Sequence, residues 1–287
     1  MKISSVFTDH MVLQREQIVP IWGWAKANEK ITIKFNPGKG CKNKSQIKKT
    51  VTNKEGKWTV NLDCLQTSKI AAKLTAESTS GGSLKAEDVL VGDVWLASGQ
   101  SNMEWIVENS FNVEKEIASA KWPHIRMFTV PRLTDDKPVD NVNANWQVCS
   151  PETVAKFSAV AYFFGREIHK NENIPIGILS SSWGGSRVET WISKNGLLVE
   201  ESTRKETLDY IAELKHDDGK ARKKNRDDYM ADPIAYLRKN VVADPGNKAF
   251  SKGWADPSFD DSEWQDVKVP NYWQDTGIPD NGVLWYR

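Results

Sequence analysis

An α/β fold is what this sequence predicts for the middle of the chain. A small antiparallel β-sandwich precedes it, and an incomplete β domain follows. Three observations lead there. Short β-branched and aromatic runs, punctuated by turn residues, fill positions 1–88. Two apolar runs, Val89 to Leu96 and Ile176 to Ser180, flank a segment of helical spacing. Trp254, Phe259, Trp264, Trp273 and Trp285 then sit among Asp, Pro and Gly turns. At 287 residues the chain has room for two or three domains, and 39% hydrophobic content supplies apolar side chains for their cores. The expected boundaries are 1–88, 89–238 and 239–287.

In the first segment, Val19 to Trp24 and Ile31 to Phe35 are rich in residues that fit a pleated, half-buried surface. Glu55-Gly56-Lys57 is a turn ahead of the alternating Trp58-Thr59-Val60-Asn61-Leu62. Asn36-Pro37-Gly38 and Gly81-Gly82-Ser83 separate further strands. No helical period interrupts them, so two antiparallel layers are expected.

Near Asp88 the character changes. Val89-Leu90-Val91-Gly92-Asp93-Val94-Trp95-Leu96 is apolar enough for a strand buried on both faces, as in a parallel sheet. Ser98-Gly99-Gln100 ends it, and Ser101-Asn102 opens a region of helical composition. Val154 to Lys170 carries Val160, Phe163, Phe164 and Ile168 at helical spacing. Asn171 and Asn173 close that helix, and Pro175 prevents its continuation. Ile176-Gly177-Ile178-Leu179-Ser180 is a second buried strand, running into Ser182-Trp183-Gly184-Gly185-Ser186. Strand, helix and strand in this order give the α/β reading.

From Gly196 to Arg238 the chain is charged and helix-prone, and the block Lys220 to Asp228 reads as a solvated connector. Residues 239–287 then hold short strands, too few to close a sandwich without unpaired edges.

Composition excludes several classes. Lys and Arg number 39 against 38 Asp and Glu, a net charge of +1, so nucleic acid is not an expected partner. No apolar stretch approaches the roughly 20 residues of a membrane span, so no membrane partner is expected. Cys41, Cys64 and Cys149 form no metal-ligand spacing and no disulfide framework. Met1 to Ser5 lacks the apolar core and cleavage site of a secretory leader. The 13 Trp residues hint at sugar handling, because indole faces stack on sugar C–H faces. For most of them, packing in cores and seams is the plainer role.

Ser101 carries the chemistry. A serine hydroxyl is a weak nucleophile until a base takes its proton, and the oxyanion it creates needs positioned donors. Ser101 lies at a strand end, beside Gly99 for a tight turn and ahead of a helix whose N-terminus favours negative charge. The alternative for Ser101 is a plain helix N-cap. The lipase-type G-x-S-x-G elbow does not fit this run.

The run Gly92-Asp93-Val94-Trp95-Leu96-Ala97-Ser98-Gly99-Gln100-Ser101-Asn102-Met103-Glu104 resembles the nucleophile block of the sialate O-acetylesterases, members of the SGNH hydrolase group. Ile176 through Ser186, with Glu189 and Trp191 after it, resembles their second block. Phe7-Thr8-Asp9-His10-Met11-Val12-Leu13-Gln14-Arg15 and Pro20-Ile21-Trp22-Gly23-Trp24-Ala25 resemble the β domain that precedes the catalytic domain in these proteins. Asp256-Pro257-Ser258-Phe259-Asp260-Asp261-Ser262-Glu263-Trp264 through Trp285-Tyr286-Arg287 is similar to the start of a galactose-binding-like jelly-roll inserted into that domain.

The resemblance implies a three-layer, flavodoxin-like hydrolase fold and removal of O-acetyl groups from sialic acid or other acetylated glycans, without a cofactor or metal. It implies Ser101 as nucleophile, with an oxyanion hole built from the N–H of Ser101 and that of Gly184 or Gly185. Gly185 is the favoured one of the pair; the plainer role for both glycines is a loop that turns. Relatives of this kind are often exported or lysosomal.

Two family features have no counterpart here: a Gln-Gly-Glu-Ser-Asn-like run and a late Asp-x-x-His. None of the four histidines, His10, His124, His169 and His216, has an aspartate three residues before it. His10 belongs to the β-domain motif and His124 to a loop-like segment. His169 closes a helix, and His216 lies in the charged connector. The resemblance therefore implies a chain that stops inside the inserted domain and lacks the base-bearing C-terminal half as a partner. Little esterase activity is expected of it alone. The competing expectation is a non-catalytic glycan-binding protein on a degenerate hydrolase scaffold.

Overall fold

The computed structural model describes residues 1–135, 138–199, 201–216, 228, 231–232, 252–254 and 256–268. The chain divides into two compact units, Met1–Trp191 and Ile192–Arg287.

The first unit begins with β1 (Lys2–Ile3), β2 (Val12–Gln14), β3 (Val19–Trp24), β4 (Lys30–Asn36), β5 (Gln46–Val51), β6 (Lys57–Leu62) and β7 (Ser68–Ser78). A long strand, β8 (Ser83–Gly99), leads into α1 (Ser101–Glu104) and α2 (Val113–Ser119). It continues through β9 (Trp122–Thr129), β10 (Trp146–Cys149), α3 (Ala159–Glu172) and β11 (Ile176–Ser182). Strands β1, β3 and β6 form a three-stranded sheet; an eight-stranded sheet runs β10-β9-β11-β8-β7-β4-β5, with β2 also on β8.

Alternation explains the first core. Ile21 and Leu62 from the small sheet meet Ile31, Ile33, Phe35 and Leu74 from the large one in a single apolar cluster. Every second residue of β4 and β6 points inward, as period-two strands require. A second cluster joins Ile125 and Met127 of β9 and Ile176 and Ile178 of β11 to Ala161 and Tyr162 of α3.

Between the two clusters, β8 runs on unbroken through position 88. Arg126, whose side chain is only 4% exposed, meets Asp88 Oδ2 at 2.7 Å, and His10 Nδ1 approaches the same oxygen at 2.7 Å. Arg126 also donates to the carbonyls of Pro123, His10 and Asp88.

Three local expectations change. Burial on both faces holds in β8 from Val89 to Gly92 but ends there, and Leu96 is 70% exposed. The reason is pairing: β2 and β7 leave β8 by Gly92, and beyond it only β11 lies alongside among the described strands. Helix α3 starts five residues later than Val154, because Ser158 caps it and accepts from Ala161 N–H at 3.2 Å. Its buried face is Ala161, Tyr162, Gly165 and His169, whereas Val160 and Phe164 face outward. A Cβ on Gly165 would sit 2.4 Å from Ile178 Cδ1, so the small-residue face is the one that reaches the sheet. His124 lies within strand β9 rather than in a loop; Pro123 sits near the strand's start, where a missing N–H is tolerated.

In the second unit, α4 (Lys194–Val199) and α5 (Glu201–His216) realise the helix-prone start of the connector. Most of Lys220 to Asp228, and Trp273, Trp285, Tyr286 and Arg287, lie outside the described residues. The described tail residues form turns in which Trp264 packs on Trp254 and Phe259, each with ring centroids 5.7 Å apart.

All three cysteines are free. No helix among the described residues is long and apolar enough to cross a membrane.

Candidate active site

The site is built at the carboxyl ends of two neighbouring strands. β8 and β11 run parallel in unbroken register from Ile176 opposite Asp93 to Ser182 opposite Gly99. Parallel strands end at one edge, so the turns that leave them emerge side by side. Trp183 N–H donates to the Gly99 carbonyl at 3.0 Å, carrying the contact one residue past the strands.

Gly99 makes the turn out of β8. Its φ of +153° belongs to backbone that side-chain-bearing residues avoid. Gln100 takes the N-cap position of α1 without a side-chain cap, and Ser101 is the first helical residue. Ser101 is exposed, and its hydroxyl reaches Gln100 Oε1 only at 3.5 Å. The hydroxyl is therefore not spent on capping. Helix α1 is a single turn of four residues, shorter than the helical stretch expected after Ser101. A macrodipole over so short a run is small and adds little positive potential at Ser101.

The second loop arrives against the first. A Cβ on Gly184 would lie 3.4 Å from Ser101 Cα and 3.5 Å from Ser101 Cβ. The Gly184 backbone thus packs directly on Ser101, and its N–H donates to Glu104 Oε2 at 2.7 Å. Gly185 differs in kind. Its φ is +77°, and a Cβ there would meet nothing within 4 Å. One glycine allows a close approach and the other allows the turn.

Glu104 is the residue that sequence reading left without a role. It lies within the nucleophile block, in the last position of α1, and its other oxygen pairs with Arg132. Arg132 follows β9, so three adjacent carboxyl-edge loops converge on one carboxylate.

The three histidines of the first unit sit elsewhere. His124 opens β9, and burial together with Lys69 and His169 holds its imidazole below the ordinary value. His169 Nδ1 contacts the Ile174 carbonyl at 2.6 Å, just ahead of β11. His10 is held by Asp88, before the parallel part of β8. All three lie toward the amino ends of the parallel strands. Seven residues of β11 separate that edge from the Gly184 loop, about 20 Å at ~3.3 Å per residue. His216 ends α5 in the second unit. Among the described residues, Ser101 has no histidine partner, and no group of three or more His, Cys, Asp or Glu is placed to hold a metal.

No protein-family model matches the chain. The sialate O-acetylesterase of Rattus norvegicus is 34% identical over 212 residues, covering 68% of this chain and 38% of that protein. Its counterpart from Homo sapiens is 31% identical over 212 residues, covering 68% of this chain and 39% of its own length. A crystal structure of a carbohydrate acetylesterase from Xanthomonas citri matches with a TM-score of 0.63 at 33% identity, over 69% of this chain and 44% of that one. The chain spans well under half the length of the curated relatives it matches. Over about two thirds of its length, then, the chain is a homologue of the sialate O-acetylesterases.

Proposed function

We propose that this chain carries the nucleophile half of a serine esterase that removes O-acetyl groups from sugars. Ser101 Oγ attacks the acetyl carbonyl, and its proton passes through a base to the departing sugar oxygen. The acetyl-enzyme is then hydrolysed by water, which returns a proton to Ser101 and releases acetate. The N–H groups of Ser101 and of Gly185 or Gly184 receive the oxyanion. No cofactor enters these steps.

The observation that carries this reading is the register of β8 on β11, which packs the Gly184 backbone against Ser101. Esterase names on the relatives support the reaction class. We assign the activating base to none of His10, His124 and His169, because all three lie toward the amino ends of the parallel strands and Ser101 lies past their carboxyl ends. The same reading divides the chain into a β-sandwich over 1–88, a first catalytic portion over 89–238 and the start of a jelly-roll over 239–287.

The test is labelling by a fluorophosphonate together with release of acetate from an O-acetylated sugar. Mass spectrometry should place the adduct on Ser101, and Ser101→Ala should abolish it together with the small acetate release expected of this chain alone. Equal acetate release after that substitution overturns the assignment.

A second reading, glycan binding without turnover, draws on the absence of a histidine partner for Ser101 among the described residues. Calorimetric binding of an O-acetylated glycan with no acetate release and no Ser101 adduct would favour it.

A further inference from the structure

We propose that Glu104 is the positioning residue of this site. Its carboxylate holds the amide of Gly184, which leaves the Gly185 N–H as the loop's oxyanion donor. The inference rests on the reading of Ser101 as nucleophile and settles which glycine serves it.

Both carboxylate oxygens of Glu104 are in use. Oε2 accepts the Gly184 N–H at 2.7 Å, the length of a charge-assisted bond, which is about twice as strong as a neutral one. Oε1 pairs with Arg132. Arg132 is more than half exposed, so that ion pair adds little stability by itself. Its effect is geometric: with one oxygen turned to Arg132, the other faces Gly184. Glu104 stands three residues after Ser101, at the end of the same single helical turn. The nucleophile and the clamp therefore move as one piece.

Charge then separates the glycines. The Gly184 N–H is already satisfied by an anion, and an oxyanion forming beside the Glu104 carboxylate would be repelled. Negative charge is better received on the side away from Glu104. Of the N–H groups nearby, that of Ser101 opens α1, and that of Gly185 makes no hydrogen bond among the described residues. The left-handed Gly185 turns the backbone directly after the clamped amide, so the direction of its N–H depends on where Gly184 is held. Both carboxylate oxygens of Glu104 are occupied, which makes it a positioning residue and not a proton carrier.

Glu104→Ala, Glu104→Gln and Glu104→Asp in the full chain test this. With 15N-glycine labelling, the Gly184 amide proton should lie well downfield in the parent chain. It should move upfield in Glu104→Ala and in Glu104→Asp, whose carboxylate falls one methylene short. It should move least in Glu104→Gln, which keeps a carbonyl acceptor. On an acetyl ester, kcat should fall about 100-fold in Glu104→Ala with KM unchanged, the scale of a displaced catalytic donor. Glu104→Gln should recover most of that loss.

A Gly184 amide that stays in place in Glu104→Ala overturns the proposal, as does equal behaviour of the Ala and Gln variants. Glu104→Asp decides the point if the alanine variant does not fold. Little turnover is expected of this chain alone, so the amide shift in the three variants judges Glu104 whatever the parent's turnover, and the nucleophile reading is judged separately by the Ser101 adduct.

Discussion

The carbonyl oxygen of Pro175 lies 1.9 Å from where a Cβ on Gly92 would be. Asp93 N–H donates to that same carbonyl at 3.0 Å. The absent side chain at Gly92 is thus what lets β11 start flush against β8, and the register begun there ends with Ser182 beside Gly99. A contact at the amino edge sets the geometry at the carboxyl edge.

Gly92→Ala should therefore destabilise the chain by about 3 kcal/mol, the cost of forcing a methyl group into a packed contact. Backbone on both sides blocks any cheap side-chain adjustment. Urea unfolding should show a lowered midpoint at an unchanged slope; an unshifted midpoint would refute the role given to Gly92.

Asp88 predicts an acid-sensitive contact. Burial pushes its carboxyl up, but hydrogen bonds from Arg126 and His10 outweigh that and hold it below the ordinary value. A depressed folded value stabilises the fold above the unfolded value of about 3.9, and the contribution disappears as pH falls through the folded value. Asp88 also has φ +52°, which asparagine tolerates. Asp88→Asn should then cost about 2 kcal/mol near neutral pH by stripping the buried Arg126 of its carboxylate. The variant and the parent should begin to converge below about pH 4 and meet only below the depressed folded value of Asp88. Parallel stability curves from pH 7 to pH 3 would refute this.

The thiols should separate cleanly. Burial pushes Cys149 up to about 12, and the thiolate is the reactive form. Cys64 is exposed, and Cys41 is half-buried; burial pushes its thiol up, but its hydrogen bonds with Ser68 and Asn43 outweigh that and hold it down. Iodoacetamide at pH 8 should modify Cys64 and Cys41, and Cys149 only after denaturation. Modification of native Cys149 at the rate of Cys64 would contradict the buried position.

Gly185→Ala tests the second loop without a steric clash, since nothing lies within 4 Å of the added methyl. The left-handed backbone should cost about 1 kcal/mol, and asparagine at the same position should cost less. If Gly185 supplies a donor, kcat on an acetyl ester should fall about 100-fold in the alanine variant. A stability loss with full turnover would separate the turn from the chemistry.

The local elements were legible because each is written in a short stretch of chain. Alternation in Trp58 to Leu62, the β-branched runs at Val19 and Ile31 and the apolar run at Ile176 all reappear as strands. The Ser101 run was legible as well, by its strand, glycine and polar helix start. What a residue faces was less so. Val160 and Phe164 satisfy a helical period, yet α3 buries the Ala161 and Gly165 side, because small residues permit close approach to Ile178. The apolar run to Leu96 does not reveal that β8 loses its pairing on one side after Gly92.

By itself, then, the sequence determined several of the strands, the end of the helix before Pro175, the turn at Gly99 and the candidate nucleophile. The tertiary structure decided that Glu104 meets Gly184, 80 residues away, and that His10, His124 and His169 lie at the far edge of the sheet from Ser101. The physical reason is range. Periodicity and turn chemistry act over a few residues, whereas contacts across the sheet follow from the register of β8 on β11, set where Gly92 meets Pro175.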